Sequence, residues 1–169
     1  NRDLSEDKVI PLGYRPFDSR WSYHTGRSRG FVCFPRHDIM KHLIGKENLA
    51  LLVKRQSKFD FSYVFLTKTA VEGCMFESAY ANNSVLPLYL YPDEQDLDQT
   101  RRVNFDPKLW QQLKARAAHP RFGTPDEVQT FDYIYGVLHC PAYRDTYAEF
   151  LKIDFPRIPW PATPDEFWD

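Results

Sequence analysis

The second half of the chain places its apolar residues at the spacing of helices. Residues 124–127 (TPDE) match a capping box, with Thr124 at the N-cap and Pro125 at the first helical position. One apolar helical face then follows, formed by Val128, Phe131, Ile134, Tyr135 and Leu138. Pro141 begins a second helix, whose apolar face comprises Tyr143, Tyr147, Phe150 and Leu151. This pattern predicts a C-terminal helical hairpin, bent at Cys140, that packs against a core.

Two further helices are predicted upstream of this hairpin. Residues 104–107 (NFDP) open a helix that ends near His119, with one apolar face formed by Leu109, Leu113 and Ala117. Residues 35–44 predict the other helix, with Gly45 as its C-terminal cap.

The first half of the chain shows the patterns of β-strands. Residues 49–53 (LALLV) are continuously apolar, which is typical of a central strand covered on both faces. Other strands are predicted over residues 21–23, 31–34, 61–67 and 85–91. Pro87 places the last of these at a sheet edge or at a bulge. The sequence therefore predicts an α+β fold, in which a β-rich half with a mixed or antiparallel sheet precedes the helical hairpin.

The length of the chain, 169 residues, suits a single domain with a substantial core. Within it we expect a β-rich lobe over residues 8–92 and a helical lobe over residues 103–161. No apolar run of about 18 residues predicts a membrane span, and no secretory signal is recognisable. The three cysteines show no CxxC spacing, which favours a reducing compartment, and we expect the cytoplasm.

Charge is distributed unevenly along the chain. The net charge is only −1, yet residues 8–58 carry eleven Lys or Arg and three Asp or Glu, while the rest of the chain is acidic. A polyanion such as nucleic acid would be attracted to one side of such a molecule. The alternative is a solvated basic face that has no partner.

Five segments, in the same order along the chain, resemble the C-terminal target recognition domain of type ISP restriction-modification enzymes and their type IIG relatives. These segments are RPFDSRW (15–21), PRHDIMKH (35–42), NLALLVKRQ (48–56), LPLYLYPD (86–93) and the whole of residues 132–161. Because the resemblance spans most of the chain, and because the chain starts at Asn1, we expect this sequence to be one domain of a larger enzyme.

The resemblance implies a parent enzyme that methylates an adenine within a specific DNA sequence and cleaves unmodified DNA. Its S-adenosylmethionine, Mg²⁺ and, in the ATP-dependent subclass, ATP would bind to other domains, with no cofactor in this chain. The implied partners are double-stranded DNA and the methyltransferase and other domains of the parent. An alternative is a docking module that couples the methyltransferase core to other domains without contacting bases.

Recognition of duplex DNA requires cations for phosphates and planar polar side chains for base edges. The candidates for phosphate contact are Arg15, Arg20, Arg27, Arg29, Arg36, Lys54, Arg55 and Lys58. The candidates for base contact are Arg27, Arg29, Gln56, Asn82 and Asn83. Arg27 and Arg29 lie at a predicted hairpin tip between two glycines.

Some of these residues have a structural alternative. Arg15 and Arg20 could pair with Asp18 and stack on Trp21. Asn82 and Asn83 suit an ordinary turn.

The sequence contains no P-loop, GxGxxG, HExxH or amino-methyltransferase signature. A loose nuclease-like match consists of Pro92-Asp93 followed by Asp106-Pro107-Lys108. Asp106 and Pro107 are better explained as the N-cap and first residue of a helix. We therefore predict no catalytic residue and no metal site in this chain.

Overall fold

The structure is a computed structural model that describes residues 4–28, 31–57, 61–76 and 83–169. A short 3₁₀ helix, Glu6–Lys8, precedes the first strand. The strands are β1 (Val9–Arg15), β2 (Asp18–Tyr23), β3 (Ala50–Lys54), β4 (Val64–Thr67), β5 (Ala70–Val71), β6 (Asn83–Pro87), β7 (Tyr89–Leu90) and β8 (Arg102–Val103). The helices are α1 (His37–Met40), α2 (Pro107–Ala117), α3 (Glu127–His139), α4 (Pro141–Thr146), α5 (Ala148–Ile153) and α6 (Pro164–Trp168).

Among the described residues the strands form two three-stranded sheets and a two-stranded ladder. The first sheet has the order β2-β1-β5 and is mixed, because β1 pairs antiparallel with β2 and parallel with β5. The second has the order β4-β3-β6 and is antiparallel. β7 and β8 form the antiparallel ladder. The predicted α+β class with mixed or antiparallel sheets is confirmed.

β3 is central because both of its faces are covered. Leu51 and Val53 belong to a core cluster that also contains Phe131 and Leu138 of α3. Residues 50 and 52 of the same strand point into a second cluster, which includes residues of β1 and β5. The strand thus lies between the first sheet and the helices, and its sequence is apolar from residue 50 to residue 53. The predicted central strand is confirmed.

A buried amide ties the region after α1 to β7. Asn48 Nδ2 donates to the carbonyl oxygens of His42 and Tyr89, both at 2.8 Å, and its Oδ1 accepts from the Tyr89 N–H. His42 Nδ1 accepts from the Tyr91 N–H at 3.0 Å, and burial lowers the pKa of this histidine. Because Nδ1 accepts this bond, the proton of the neutral imidazole lies on Nε2.

The two long helices begin at aspartates. Asp106 caps α2 by accepting from the N–H groups of Lys108 and Leu109, as the sequence predicts. The predicted cap of α3 is wrong, because the N-cap is Asp126, two residues after Thr124. Asp126 and Gln129 form a reciprocal capping box.

The C-terminal helices differ from a simple hairpin. α3 ends at His139 and a helix restarts at Pro141, as expected. The second arm is then broken at Tyr147 into α4 and α5, so a hairpin of two continuous helices is not clearly formed. α6, which was not predicted, packs against α2 through Phe167.

Other predictions fail locally. Residues 31–34 form no strand, since residues 31–33 are bends, and Phe31 and Phe34 are exposed. The helix predicted over residues 35–44 shortens to α1, which continues as turns to Gly45, whose φ is +64°. No helix in the described part of the chain is long and apolar enough to cross a bilayer.

Candidate nucleic-acid interface

The β1–β2 hairpin brings together Arg15 and Arg20, two of the predicted DNA-contact residues. Both guanidinium carbons lie against the ring of Tyr14, at 4.1 Å and 3.9 Å from its centroid. Arg15 Nη1 pairs with Glu72 Oε2 at 2.9 Å, and Arg20 Nη2 pairs with Asp18 Oδ2 at 3.0 Å. Hydrogen bonding to Asp18 raises the pKa of Arg20.

The structural alternative for these arginines is therefore correct in part. Arg20 pairs with Asp18 as that alternative requires, whereas the partner of Arg15 is Glu72. The aromatic ring beneath both is that of Tyr14, while Trp21 is 74% exposed.

The tip of the same hairpin presents an aromatic ring to solvent. Phe17 is 98% exposed and has a φ of +63°, in the left-handed region that bulky residues rarely occupy. Its ring makes an edge contact with Phe65, at a centroid distance of 6.2 Å.

Two more predicted arginines are also paired with carboxylates. Arg36, at a φ of +43°, pairs with Asp38 at 3.4 Å, and this bond lowers the pKa of Asp38. Arg55 Nε lies 3.1 Å from Asp154 Oδ1. Exposed pairs of this kind are worth about 0–1 kcal/mol, so they can open, but they reduce the field of the basic segment.

Three of the predicted residues have structural contacts. Lys54 is only 3% exposed, with its ammonium 5.1 Å from the centroid of Tyr63, so its placement among exposed cations is corrected. Gln56 Nε2 donates to the carbonyl of Ile153 at 3.1 Å, joining the end of β3 to α5. Asn83 Oδ1 accepts from the Met75 N–H at 2.9 Å. Each amide thus uses part of its hydrogen-bonding capacity within the fold.

Arg27 differs from these residues because its side chain is exposed and makes no ion pair within the described part of the chain. The turn that carries it is ordered by its neighbours. Gly26 has a φ of +70° and lies against His37, whose Nδ1 is 3.1 Å from His24 Nε2. Burial, followed by the charge of His37, lowers the pKa of His24. The other predicted residues, Arg29, Lys58 and Asn82, lie outside the described residues.

A cleft of about 800 Å³ brings some of the predicted residues together. Arg36 and Asn83 line it, as does Glu72, the ion-pair partner of Arg15. Its floor consists of apolar residues of β1 and β5, including Ile10 and Val71. Arg55 and Gln56 instead contact the α5 end of the molecule. The predicted residues thus do not converge on one point.

The aspartates of the nuclease-like match are both engaged. Asp106 holds the first turn of α2, and Asp93 pairs with Lys41 at 2.6 Å. Asp93 also lines a cleft of about 530 Å³ with Asp38, Asp96 and Asp98. Across the described ranges, no group of three or more His, Cys, Asp or Glu side chains is arranged to hold a metal ion.

Comparison with known proteins defines the class to which this fold and sequence belong. The sequence model of one family, the Type ISP C-terminal specificity domain, matches residues 1–169. The chain therefore belongs to the family of type ISP C-terminal specificity domains. No curated protein matches it.

Three solved structures share the fold. A cryo-EM structure of a DrdV–DNA complex has 25% identity and a TM-score of 0.75, over 99% of this chain and 15% of that one. A DNA-bound structure of LlaBIII, an ATP-dependent type ISP restriction-modification enzyme, has 17% identity and a TM-score of 0.71, over 99% and 10%. A nuclease-deletion mutant of the type ISP enzyme LlaGI with a DNA substrate mimic has 24% identity and a TM-score of 0.64, over 94% and 12%. The chain thus spans a small part of each of these proteins.

Proposed function

We propose that this chain recognises a specific sequence of double-stranded DNA on behalf of a larger restriction-modification enzyme. The family match across residues 1–169 is the observation that carries the proposal, because a specificity domain selects the sequence on which its enzyme acts. The DNA complexes of DrdV, LlaGI and LlaBIII support the same function, since this chain is similar to part of each.

The parent enzyme, in this proposal, methylates an adenine within the recognised sequence and cleaves DNA that lacks the methyl group. Its S-adenosylmethionine, Mg²⁺ and, in the ATP-dependent subclass, ATP bind to other domains. This chain contributes binding and orientation rather than catalysis. The parent works in the cytoplasm, where it meets foreign DNA.

Arg27 is the strongest candidate for a base contact among the described residues. Its guanidinium is exposed on a turn shaped by Gly26 and makes no ion pair in the described structure. Arginine binds guanine O6 and N7 with two hydrogen bonds, a contact worth about 1–3 kcal/mol of discrimination. The ion-paired Arg15, Arg20, Arg36 and Arg55 suit phosphates, because a phosphate can replace an exposed carboxylate partner.

Mapping of methylated adenines in DNA exposed to the full-length protein tests this assignment. For Arg27→Ala we expect the methylated sequence to relax at one position, by about 10- to 100-fold in preference. Arg27→Lys keeps the charge but loses the paired donors, so it should relax the same position. If Arg27→Lys retains the sequence while Arg27→Ala lowers methylation uniformly, Arg27 contacts a phosphate. Unchanged sequence and unchanged level in both variants would contradict any contact by Arg27.

A second candidate function is docking to other domains of the parent. The exposure of Phe150 and Ile153, 68% and 62%, favours it, because both large apolar side chains lie on α5. The double substitution Phe150→Ser/Ile153→Ser should leave the salt dependence of DNA binding unchanged, whether or not α5 docks to another domain. Only a docking role predicts that methylation falls while DNA affinity is retained.

A further inference from the structure

The segment around α2 is locally basic, although the part of the chain that contains it is acidic overall. Residues 101–121 contain six Lys or Arg and a single acidic residue, Asp106, although they lie in the acidic part of the sequence. The Asp106 carboxylate is occupied by the first turn of α2, where it accepts the N–H groups of Lys108 and Leu109. No acidic residue occurs within α2 itself.

Aromatic rings, rather than carboxylates, lie against these cations. Lys114 Nζ is 4.1 Å from the centroid of Trp110, and Arg116 Cζ is 5.4 Å from that of Trp160. Arg121 is placed similarly, 5.1 Å from the ring of Phe122. Such contacts orient a cation but leave its charge and hydrogen-bond donors available. Within the described ranges, Lys108, Lys114, Arg116 and Arg121 form no ion pair.

Two of these cations, Lys108 and Arg116, lie on the same exposed side of α2. α2 is buried through Leu113 and Ala117, which contact Phe167 of α6. At 100° per residue Lys108, Gln112 and Arg116 form one exposed row along the helix, and the exposed Gln111 and Ala115 lie beside it.

The acidic residues of α6 form their bonds with groups other than the cations of α2. Asp165 binds His119 Nε2 at 3.0 Å, and Glu166 accepts the Ala162 N–H at 2.7 Å.

We propose that the exposed face of α2 is a further DNA-contact surface, which binds the phosphate backbone of duplex DNA through Lys108 and Arg116. This inference rests on the proposed function and identifies a surface outside residues 8–58. A helix of this length extends about 16 Å. Duplex DNA carries a phosphate charge about every 1.7 Å of its axis, so several phosphates lie within reach. Lys108 and Arg116, which form no ion pair within the described ranges, match that partner better than the ion-paired arginines of the β-rich half do.

The salt dependence of DNA affinity measures these contacts directly. DNA affinity falls as salt rises, so the plot of log association constant against log salt concentration has a negative slope. The double variant Lys108→Gln/Arg116→Gln in the full-length protein should make this slope shallower by about 0.9 for each lost contact. The matched control is Lys68→Gln/Arg157→Gln, which removes the same charge from two exposed positions outside α2. The control should retain the wild-type slope. Equal slopes for the two double variants would overturn the proposal.

A gain of charge tests the same surface without removing any contact. Gln112→Lys places a cation between Lys108 and Arg116, and on duplex DNA of random sequence it should steepen the slope by about 0.9. A wild-type slope for Gln112→Lys would also overturn the proposal. A different observation tests the proposed function itself. If that function were wrong, the wild-type protein would bind its methylated sequence no more tightly than random DNA.

Discussion

Phe17 combines two features that each cost stability. It exposes a large apolar ring almost completely, and it adopts a φ of +63° that favours glycine. Pro16 precedes it in the turn, and a turn with a positive φ at the residue after proline normally has Gly there. Strained residues of this kind concentrate at functional sites, so the hairpin tip is a place where stability has been given up.

Two substitutions separate the backbone strain at Phe17 from the loss of its ring. Phe17→Ala removes the ring but keeps a Cβ at positive φ, whereas Phe17→Gly removes both. We expect the free energy of unfolding, measured by urea denaturation, to be about 1 kcal/mol higher for Phe17→Gly than for Phe17→Ala. If Phe17→Ala were as stable as Phe17→Gly, the left-handed conformation of this residue would be contradicted.

At the residue scale, sequence analysis identified arginines but not their partners. Arg15 and Glu72 are 57 residues apart, and Arg55 and Asp154 are 99 apart. Pairing over such separations depends on the tertiary fold, which no local pattern specifies. The pairing of Arg20 with Asp18, two residues away, was foreseen as an alternative because it is local.

At the scale of elements, predictions succeeded where one physical signal dominated. The apolar run of β3 and the Asp-Pro start of α2 were correctly predicted, because burial on both faces and N-capping leave clear patterns. The start of α3 was misplaced because Thr124 and Asp126 are both good N-caps. The structure instead places Pro125 in the core, and the helix starts after it.

A pair of alanine substitutions tests this correction. Asp126→Ala removes the bond to the Gln129 N–H and should lower the free energy of unfolding by about 1 kcal/mol. Thr124→Ala, at the residue first predicted to be the cap, should change it by less than about 0.5 kcal/mol. Thermal or urea denaturation provides the measurement, and a larger loss for Thr124→Ala would restore the original assignment.

At the scale of the whole molecule, the strands and helices share a core. One cluster contains Leu51 and Val64 of the second sheet together with Phe131, Tyr143 and Leu151 of the helices. The β-rich and helical lobes predicted from sequence therefore pack through common residues. A shared core of this kind suits a specificity domain, because contacts on different elements must keep a fixed spacing relative to DNA.

Sequence analysis was least informative about the distribution of unpaired charge over the folded molecule. Counting charges along the chain indicated residues 8–58, whereas ion pairing reduces the free charge there and, among the described residues, leaves the cations of α2 unpaired. A count over residues 8–58 includes Asp18 and Asp38 but misses Glu72 and Asp154, which come from the acidic part of the chain.

The central claim is that residues 1–169 decide which DNA sequence the parent enzyme acts on. Its most direct test replaces these residues, in the full-length protein, with the corresponding domain of a family member that methylates a different sequence. Methylated adenines are then mapped across a genome exposed to the hybrid enzyme. The account predicts that the hybrid methylates the sequence of the domain donor. An active hybrid that still methylates the sequence of the host enzyme would contradict it.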